Sequence, residues 1–406
     1  MPSGEGSLEI GTSGSRSPEL TSATITPQSL KERFRHTIAA GSLLAVALLA
    51  SMILAEGTLR LSAALVPSLG AELRGFDPLA ILIEPDGDFG YRQRPNRIFV
   101  FPNGTRATSN ALGYRGPVVS IAKPAGVFRI ILLGGSTSHG WGVNDDQTID
   151  AHMRRQLVAA YPGKRFEVVN LGFDGYDSYQ DFERLRSDGL RLQPDLVVVN
   201  SGINDVRNAW YKQLRDRDPR TFLWLADVER LRAEARRGGP TLWTRTKHWF
   251  YVARVPGFAR TRLYQWRNTN HPSPETQSTR FMPTLEAADY FERNLERIAS
   301  ITAARGIAVL FSTPPSALRL PGTSHETSGR TYWLTDAPMT QRYRDELDRR
   351  MRSVAADLSA HGAPVSYVEH AIDASMFLDD CHLTDGGNER VAADFVAGLA
   401  PYVSRR

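Results

Sequence analysis

The chain has 406 residues, 41% of them hydrophobic and 23% charged, with a formal net charge of +5. These values exclude a largely disordered chain and a multi-span membrane protein, and the length suits one large domain or two ordinary ones. The one cysteine, Cys381, excludes an internal disulfide framework and a zinc cage built of thiolates, while the mild positive charge suits an anionic partner or a membrane surface.

Residues 1–30 are rich in Ser, Thr, Gly and Pro without apolar periodicity, and read as a disordered cytoplasmic tail. A basic cluster with Lys31, Arg33 and Arg35 follows. Residues 37–55 then run for 19 positions without a charge. As a helix they span roughly 28 Å, close to the thickness of a bilayer core. The basic cluster on their N-terminal side places the N-terminus in the cytoplasm and the rest of the chain outside. Two other readings exist. A cleaved signal peptide is disfavoured by the long leader and by the poor cleavage site at Ile53-Leu54-Ala55. A buried core helix would rarely run so far without a polar face. Residues 85–127 read as a lead-in of loops and short strands.

From there the pattern is regular. Val127 to Leu133 is a short apolar run before Gly134-Gly135, the mark of a buried strand. Helix is expected over 147–160, strand over 166–170, helix over 178–192 and strand over 195–200. Helix over 285–305, strand over 307–312, helix over 340–361, strand over 365–368 and helix over 386–399 complete the series. Strands alternating with helices predict a parallel sheet covered on both faces, here a five-stranded, flavodoxin-like, three-layer α/β/α sandwich. Sites on such sheets lie at the carboxyl ends of the strands. One stretch breaks the alternation. Residues 206–280 hold 16 Lys/Arg against 6 Asp/Glu and five of the seven tryptophans. They read as an insertion that caps the site, or as a solvated helical surface with arginines lying over apolar neighbours. Membrane-interface seating and sugar stacking also suit that composition.

Polar residues fall at the strand ends. Ser136 follows the first strand, Gly172 and Gly175 the second, and Asn204 the third, in Ser201-Gly202-Ile203-Asn204-Asp205. Asp379 and His382 lie between the fifth strand and the last helix. A serine hydroxyl needs a base to become a nucleophile. His382 is the candidate base, and Asp379 can hold its tautomer and stabilise the imidazolium. The backbone N–H groups of Ser136 and Gly175 and the side-chain amide of Asn204 are candidate oxyanion donors.

These four blocks, in this order, resemble the SGNH/GDSL esterase superfamily, over residues 108–205 and 300–400. The resemblance implies Ser136, Asp379 and His382 as catalytic residues, with Ser136, Gly175 and Asn204 as the oxyanion hole. The segment Ser109 to Pro117 looks like the lead-in of membrane-anchored bacterial members. One departure stands out: the family's GDS is Gly134-Gly135-Ser136 here, as in related subgroups, so the aspartate before the serine is absent, which bears on how the serine loop is braced and does not imply loss of activity. The α/β-hydrolase alternative lacks its G-x-S-x-G motif, and no phosphate-binding glycine spacing is present.

Several residues compete for roles. Asp380 rivals Asp379, but the D-x-x-H spacing favours Asp379. His139 stands three residues after Ser136 and suits a pocket wall better than the base. Asp205 reads as a brace for the Asn204 loop and Cys381 as a packing residue. The expected activity is hydrolysis of an O-acyl ester, foremost an O-acetyl group on a cell-envelope glycan, through an acyl-serine. That substrate class rests on the resemblance and the predicted location. Transfer of the acyl group to a sugar hydroxyl by the same site is an alternative, and a non-catalytic envelope-binding module is another. The expected partners are the ester substrate and the membrane, with no nucleic acid, metal or organic cofactor implied.

Overall fold

The computed structural model describes residues 27–65, 83–86, 88, 90–101, 103–206, 242, 285–317 and 337–404. The expected insertion at 206–280 lies outside the described residues except at Val206 and Leu242, as does the expected tail over 1–26. The chain divides into two units, Met1–Gly57 and Thr58–Arg406.

The first unit carries most of helix α1, Pro27–Leu65. It begins inside the stretch expected to be a tail and runs well past residue 55. Its apolar segment, Phe34–Leu59, has 26 residues and is long enough to cross a membrane. Leu43, Leu44, Val46, Ile53 and Leu54 are all exposed on it.

The second unit opens with two hairpins. Strands β1 (Ile83–Asp86) and β2 (Gly90–Gln93) pair antiparallel, as do β3 (Ile98–Val100) and β4 (Arg106–Thr108). The main sheet contains β5 (Val127–Gly134), β6 (Arg165–Asn170), β7 (Leu196–Asn200), β8 (Ala308–Ser312) and β9 (Val365–Tyr367). Its order is β6-β5-β7-β8-β9, and every pairing is parallel. The crossovers contain α2 (Ser136–His139) and α3 (Ile149–Ala160), then α4 (Ser178–Arg184), then α5 (Leu285–Ala303), then α6 (Ala337–Ala360), with α7 (Asp385–Val403) last.

Side chains on a strand alternate between its two faces, and here the alternation builds two cores. Ile131 and Leu133 of β5 join Val197 and Val199 of β7 and pack under α4, α5 and α6, through Phe182, Phe291, Leu295, Leu347 and Met351. Ile130 and Leu132 join Val198 and Leu310 on the other face, under Met153 and Leu157 of α3 and Phe395 and Leu399 of α7. The unit is thus the expected three-layer α/β/α sandwich. The central strands are buried on both faces, and for that reason they read as unbroken apolar runs.

Two expectations need correction. The single helix expected over 178–192 is α-helical only to Arg184. It continues as a π turn over Leu185–Gly189 and a 3-10 turn over Leu190–Leu192. Gly189 sits in close contact with Leu185 and Leu171, where an added Cβ would lie 2.9 Å from Leu185 Cδ1, so the chain repacks at that point instead of continuing a regular helix. The short helix α2 was not expected at all, because four residues are too few to show a 3.6-residue period.

Candidate active site

β5 ends by turning sharply at Gly134, where φ is +139°. A Cβ there would lie 2.3 Å from both the Asn200 carbonyl oxygen and Ser138 Oγ, so only glycine fits. The turn delivers Ser136 to the first position of α2. Three contacts fix this helix to its surroundings. Asn170 Nδ2 at the end of β6 donates to the Ser138 carbonyl at 2.7 Å, Asn200 Nδ2 at the end of β7 donates to Ser138 Oγ at 3.1 Å, and Thr137 Oγ1 donates to the Cys381 carbonyl at 3.3 Å.

The loop after β9 forms a compact turn around Asp379. Its Oδ1 accepts from the backbone N–H of Cys381 at 2.9 Å and of His382 at 2.8 Å, and its Oδ2 lies 2.6 Å from His382 Nδ1. His382 Nε2 lies 2.8 Å from Ser136 Oγ. Ser136, His382 and Asp379 are therefore one hydrogen-bonded chain. Asp380 offers this region its backbone carbonyl, which accepts from the Ala317 N–H at 3.0 Å. Burial alone would push the Asp379 carboxyl up, yet the His382 ring and the two backbone donors hold it below its ordinary range. Burial disfavours a charged His382, but the Cys381 sulfur and the Asp379 carboxylate outweigh it and raise the imidazole well above its ordinary value. Such a chain can take a proton from Ser136 Oγ and hold it on the ring.

The remaining candidates converge from β6 and β7. Asn204 Nδ2 donates to the Tyr176 carbonyl at 2.9 Å. The same nitrogen would stand 2.5 Å from a Cβ on Gly135, the residue before the serine. A side chain at position 135 would therefore displace the Asn204 amide. The serine loop is braced instead by Asn170 and Asn200, which bond Ser138. Gly175 precedes Tyr176 and is buried with φ +82°. Its loop is tied to β5 by the Phe173 N–H, which donates to the Gly134 carbonyl at 3.0 Å. Asp205 secures the next element, accepting from Ser178 N at 3.1 Å and Ser178 Oγ at 2.6 Å.

His139 does not face Ser136. Its Nδ1 lies 2.9 Å from Asp174 Oδ1, linking α2 to the Gly175 loop. The Asp174 carboxyl, which burial would push up, is held low chiefly by that imidazole. Asp379, Cys381 and His382 also offer ligand atoms within 4.8 Å of one another. Because Asp379 and His382 are bonded to each other, a metal ion there would have to break that bond.

Two residues escaped sequence reasoning. Arg115, in the lead-in, is 2% exposed. Its guanidinium bonds Asp145 Oδ1 at 2.8 Å, the His139 carbonyl at 2.8 Å, the Val143 carbonyl at 2.6 Å and the Gly140 carbonyl, so it holds the segment that leaves α2. Its backbone also bridges to Asn170 at the end of β6. Trp141 stacks on His382 with ring centroids 4.5 Å apart. Neither has a local pattern that marks it; Arg115 is one arginine among many, and Trp141 is one aromatic in a loop.

The sequence profile of the GDSL-like Lipase/Acylhydrolase family matches residues 132–390. No curated protein matches the chain. Among solved structures, the chain is similar to TesA, with 16% identity over 68% of this chain and 99% of that one and a TM-score of 0.38. It is similar to LAE5, an α/β hydrolase enzyme from the metagenome of Lake Arreo, Spain, with 18% identity over 67% of this chain and 95% of that one and a TM-score of 0.37. It is also similar to Axe2, an acetylxylan esterase from Geobacillus stearothermophilus, with 14% identity over 67% of this chain and 94% of that one and a TM-score of 0.38.

Proposed function

The chain belongs to the GDSL-like lipase/acylhydrolase family, and from that premise we propose that it is a serine esterase that removes a small O-acyl group, foremost acetyl, through an acyl-serine. The observation that carries this reading is the 2.8 Å approach of His382 Nε2 to Ser136 Oγ with Asp379 on the far side of the ring. Ser136 Oγ attacks the ester carbonyl carbon, and its proton passes to His382 Nε2. The carbonyl oxygen becomes an oxyanion and takes hydrogen bonds from the Ser136 and Gly175 N–H groups and from Asn204 Nδ2, each worth about 3–4 kcal/mol in the transition state. Collapse breaks the bond to the alcohol oxygen, and the imidazolium protonates that oxygen as it leaves. Water then attacks the acyl-serine as His382 takes a proton from it, and collapse of the second tetrahedral intermediate releases the acid as the imidazolium gives that proton to Ser136 Oγ.

A membrane location goes with this reading. Phe34–Leu59 crosses the bilayer, Lys31, Arg33 and Arg35 keep the N-terminus in the cytoplasm, and the second unit works outside on an acylated cell-envelope glycan.

Hydrolysis of p-nitrophenyl acetate by the full chain in detergent, beside Ser136→Ala, tests the chemistry. The wild type should release p-nitrophenol at a rate at least about 1,000-fold above the variant, and an acetyl group should be trapped on Ser136 at low pH. Equal rates in a folded variant would remove Ser136 from the mechanism.

A further inference from the structure

The steps above leave Trp141 without a role, although it touches the base. Its backbone N–H donates to the Ser136 carbonyl at 3.0 Å, so it leaves α2 beside the nucleophile. Its ring lies over the His382 imidazole at 4.5 Å with the planes 30° apart. The lead-in holds it there. Phe101 packs edge-on at 5.5 Å, and Asn103 Nδ2 donates to the Gly142 carbonyl at 2.7 Å. Arg115 holds the His139, Gly140 and Val143 carbonyls on either side of it. Phe101 is almost wholly buried, whereas Trp141 is half-buried and Leu378, next to Gly142, is exposed. An apolar rim thus stands open beside the base.

The chemistry decides which half of an ester meets this rim. Nε2 must protonate the alcohol oxygen as the bond breaks, so the alcohol leaves past His382. The carbonyl oxygen belongs instead to the Asn204 side. Trp141 is only half-buried, so the part of its ring that His382 and Phe101 leave uncovered is a wall for the alcohol. A flat aromatic surface with little polar decoration suits the C–H face of a saturated sugar ring, which it can cover at small entropic cost.

We infer that Trp141 is a specificity-determining residue: it stacks on a pyranose ring whose hydroxyl carries the acyl group, and so selects sugar esters over acyclic ones. This rests on the esterase reading given above.

Two acetates with alcohols of similar acidity test it, acetylated methyl β-D-glucopyranoside and 2-methoxyethyl acetate. The readout is the ratio of their kcat/KM values, in the wild type, Trp141→Phe and Trp141→Leu. Loss of His382 positioning lowers both values together and cancels in the ratio. Loss of a sugar platform lowers the ratio, by about tenfold for leucine and about threefold for the smaller phenylalanine ring. The deacylation rate, measured after a p-nitrophenyl acetate burst, should fall no further than the rate on the acyclic ester, since the alcohol has already gone. If the leucine variant does not fold, the phenylalanine variant alone decides. An unchanged ratio in the folded variants overturns the role of Trp141 while the esterase reading stands. A folded wild type that cleaves p-nitrophenyl acetate but not the glucoside acetate overturns this inference alone, and one that releases no p-nitrophenol overturns the esterase reading and this inference with it.

Discussion

Asp379 accepts three hydrogen bonds within its own turn, two from backbone N–H groups and one from the His382 ring. That geometry makes it an anchor for the imidazole and a source of negative charge beside it. The sign of the pH effect follows. A base works only when its ring is neutral, and the environment of His382 raises its pKa above the ordinary histidine value. The kcat/KM profile should therefore rise with pH and reach half its maximum above the ordinary histidine range. Asp379→Asn takes away the carboxylate, so the rising limb should shift to lower pH and the plateau should fall by about 10⁴. A limb that stays in place would show that Asp379 does not set the ring's charge. At this scale much was legible in the residues alone. The D-x-x-H spacing already implied a single turn, because both partners lie within one short stretch of chain. The stack of Trp141 on that ring was not legible, since Trp141 and His382 stand far apart in the sequence.

Helix α4 shows what an element adds to its residues. Asp177 caps it with a reciprocal Gln180 contact, a pattern that is local and readable. Asp181, one turn on, is fully buried in the layer over the sheet. Burial raises its carboxyl to about 8; the nearby Ser201 hydroxyl tempers this, and the Asp205 carboxylate adds to it. Asp205 is itself raised to about 6 by burial. An unfolded Asp181 loses its proton near the ordinary value of 3.8, whereas the folded protein keeps it to about 8. The folded state thus binds more protons between those values, so this contribution is present at low pH and is lost as pH rises through about 8. Asp181→Asn has no proton to lose. Its melting temperature should fall less between pH 5 and pH 9 than that of the wild type, by a few degrees for a domain of this size. Equal pH slopes in thermal unfolding would mean that Asp181 is not a protonated buried acid. Asp181 is buried because it faces the ends of β5 and β7, beside the Gly134 backbone, Ser201 and Asp205.

For the molecule as a whole, the largest consequence is where it works. α1 carries an apolar segment of 26 residues whose large apolar side chains are exposed. The full chain should therefore float with phosphatidylcholine–phosphatidylglycerol vesicles in a density gradient and resist extraction by high salt, which removes proteins held only by surface charge. A variant lacking residues 1–65 should stay at the bottom of the gradient. Flotation of that variant would place the membrane contact in the second unit, and failure of the full chain to float would end the anchor reading.

The sheet and its helices could be read from the sequence because their signals are local. Buried strands such as Leu196–Asn200 show themselves as unbroken branched apolar runs; the Thr384 hydroxyl that caps α7, accepting from Gly387 N, is added by the structure. The uncharged stretch in α1 and the D-x-x-H turn are local signals too. What needed the tertiary structure was everything carried by contacts between distant parts of the chain. Ser136 and His382 are 246 positions apart, and they meet because β5 lies inside the sheet and the loop after β9 folds back over α2. Arg115 becomes a clamp, and Gly134 a required glycine, only once β5, β6 and β7 present their carboxyl ends together. The physical reason is one of range. Backbone propensity and side-chain periodicity act over a few residues, whereas hydrogen-bond partners at a strand edge are chosen by sheet order, and no window of sequence contains that order.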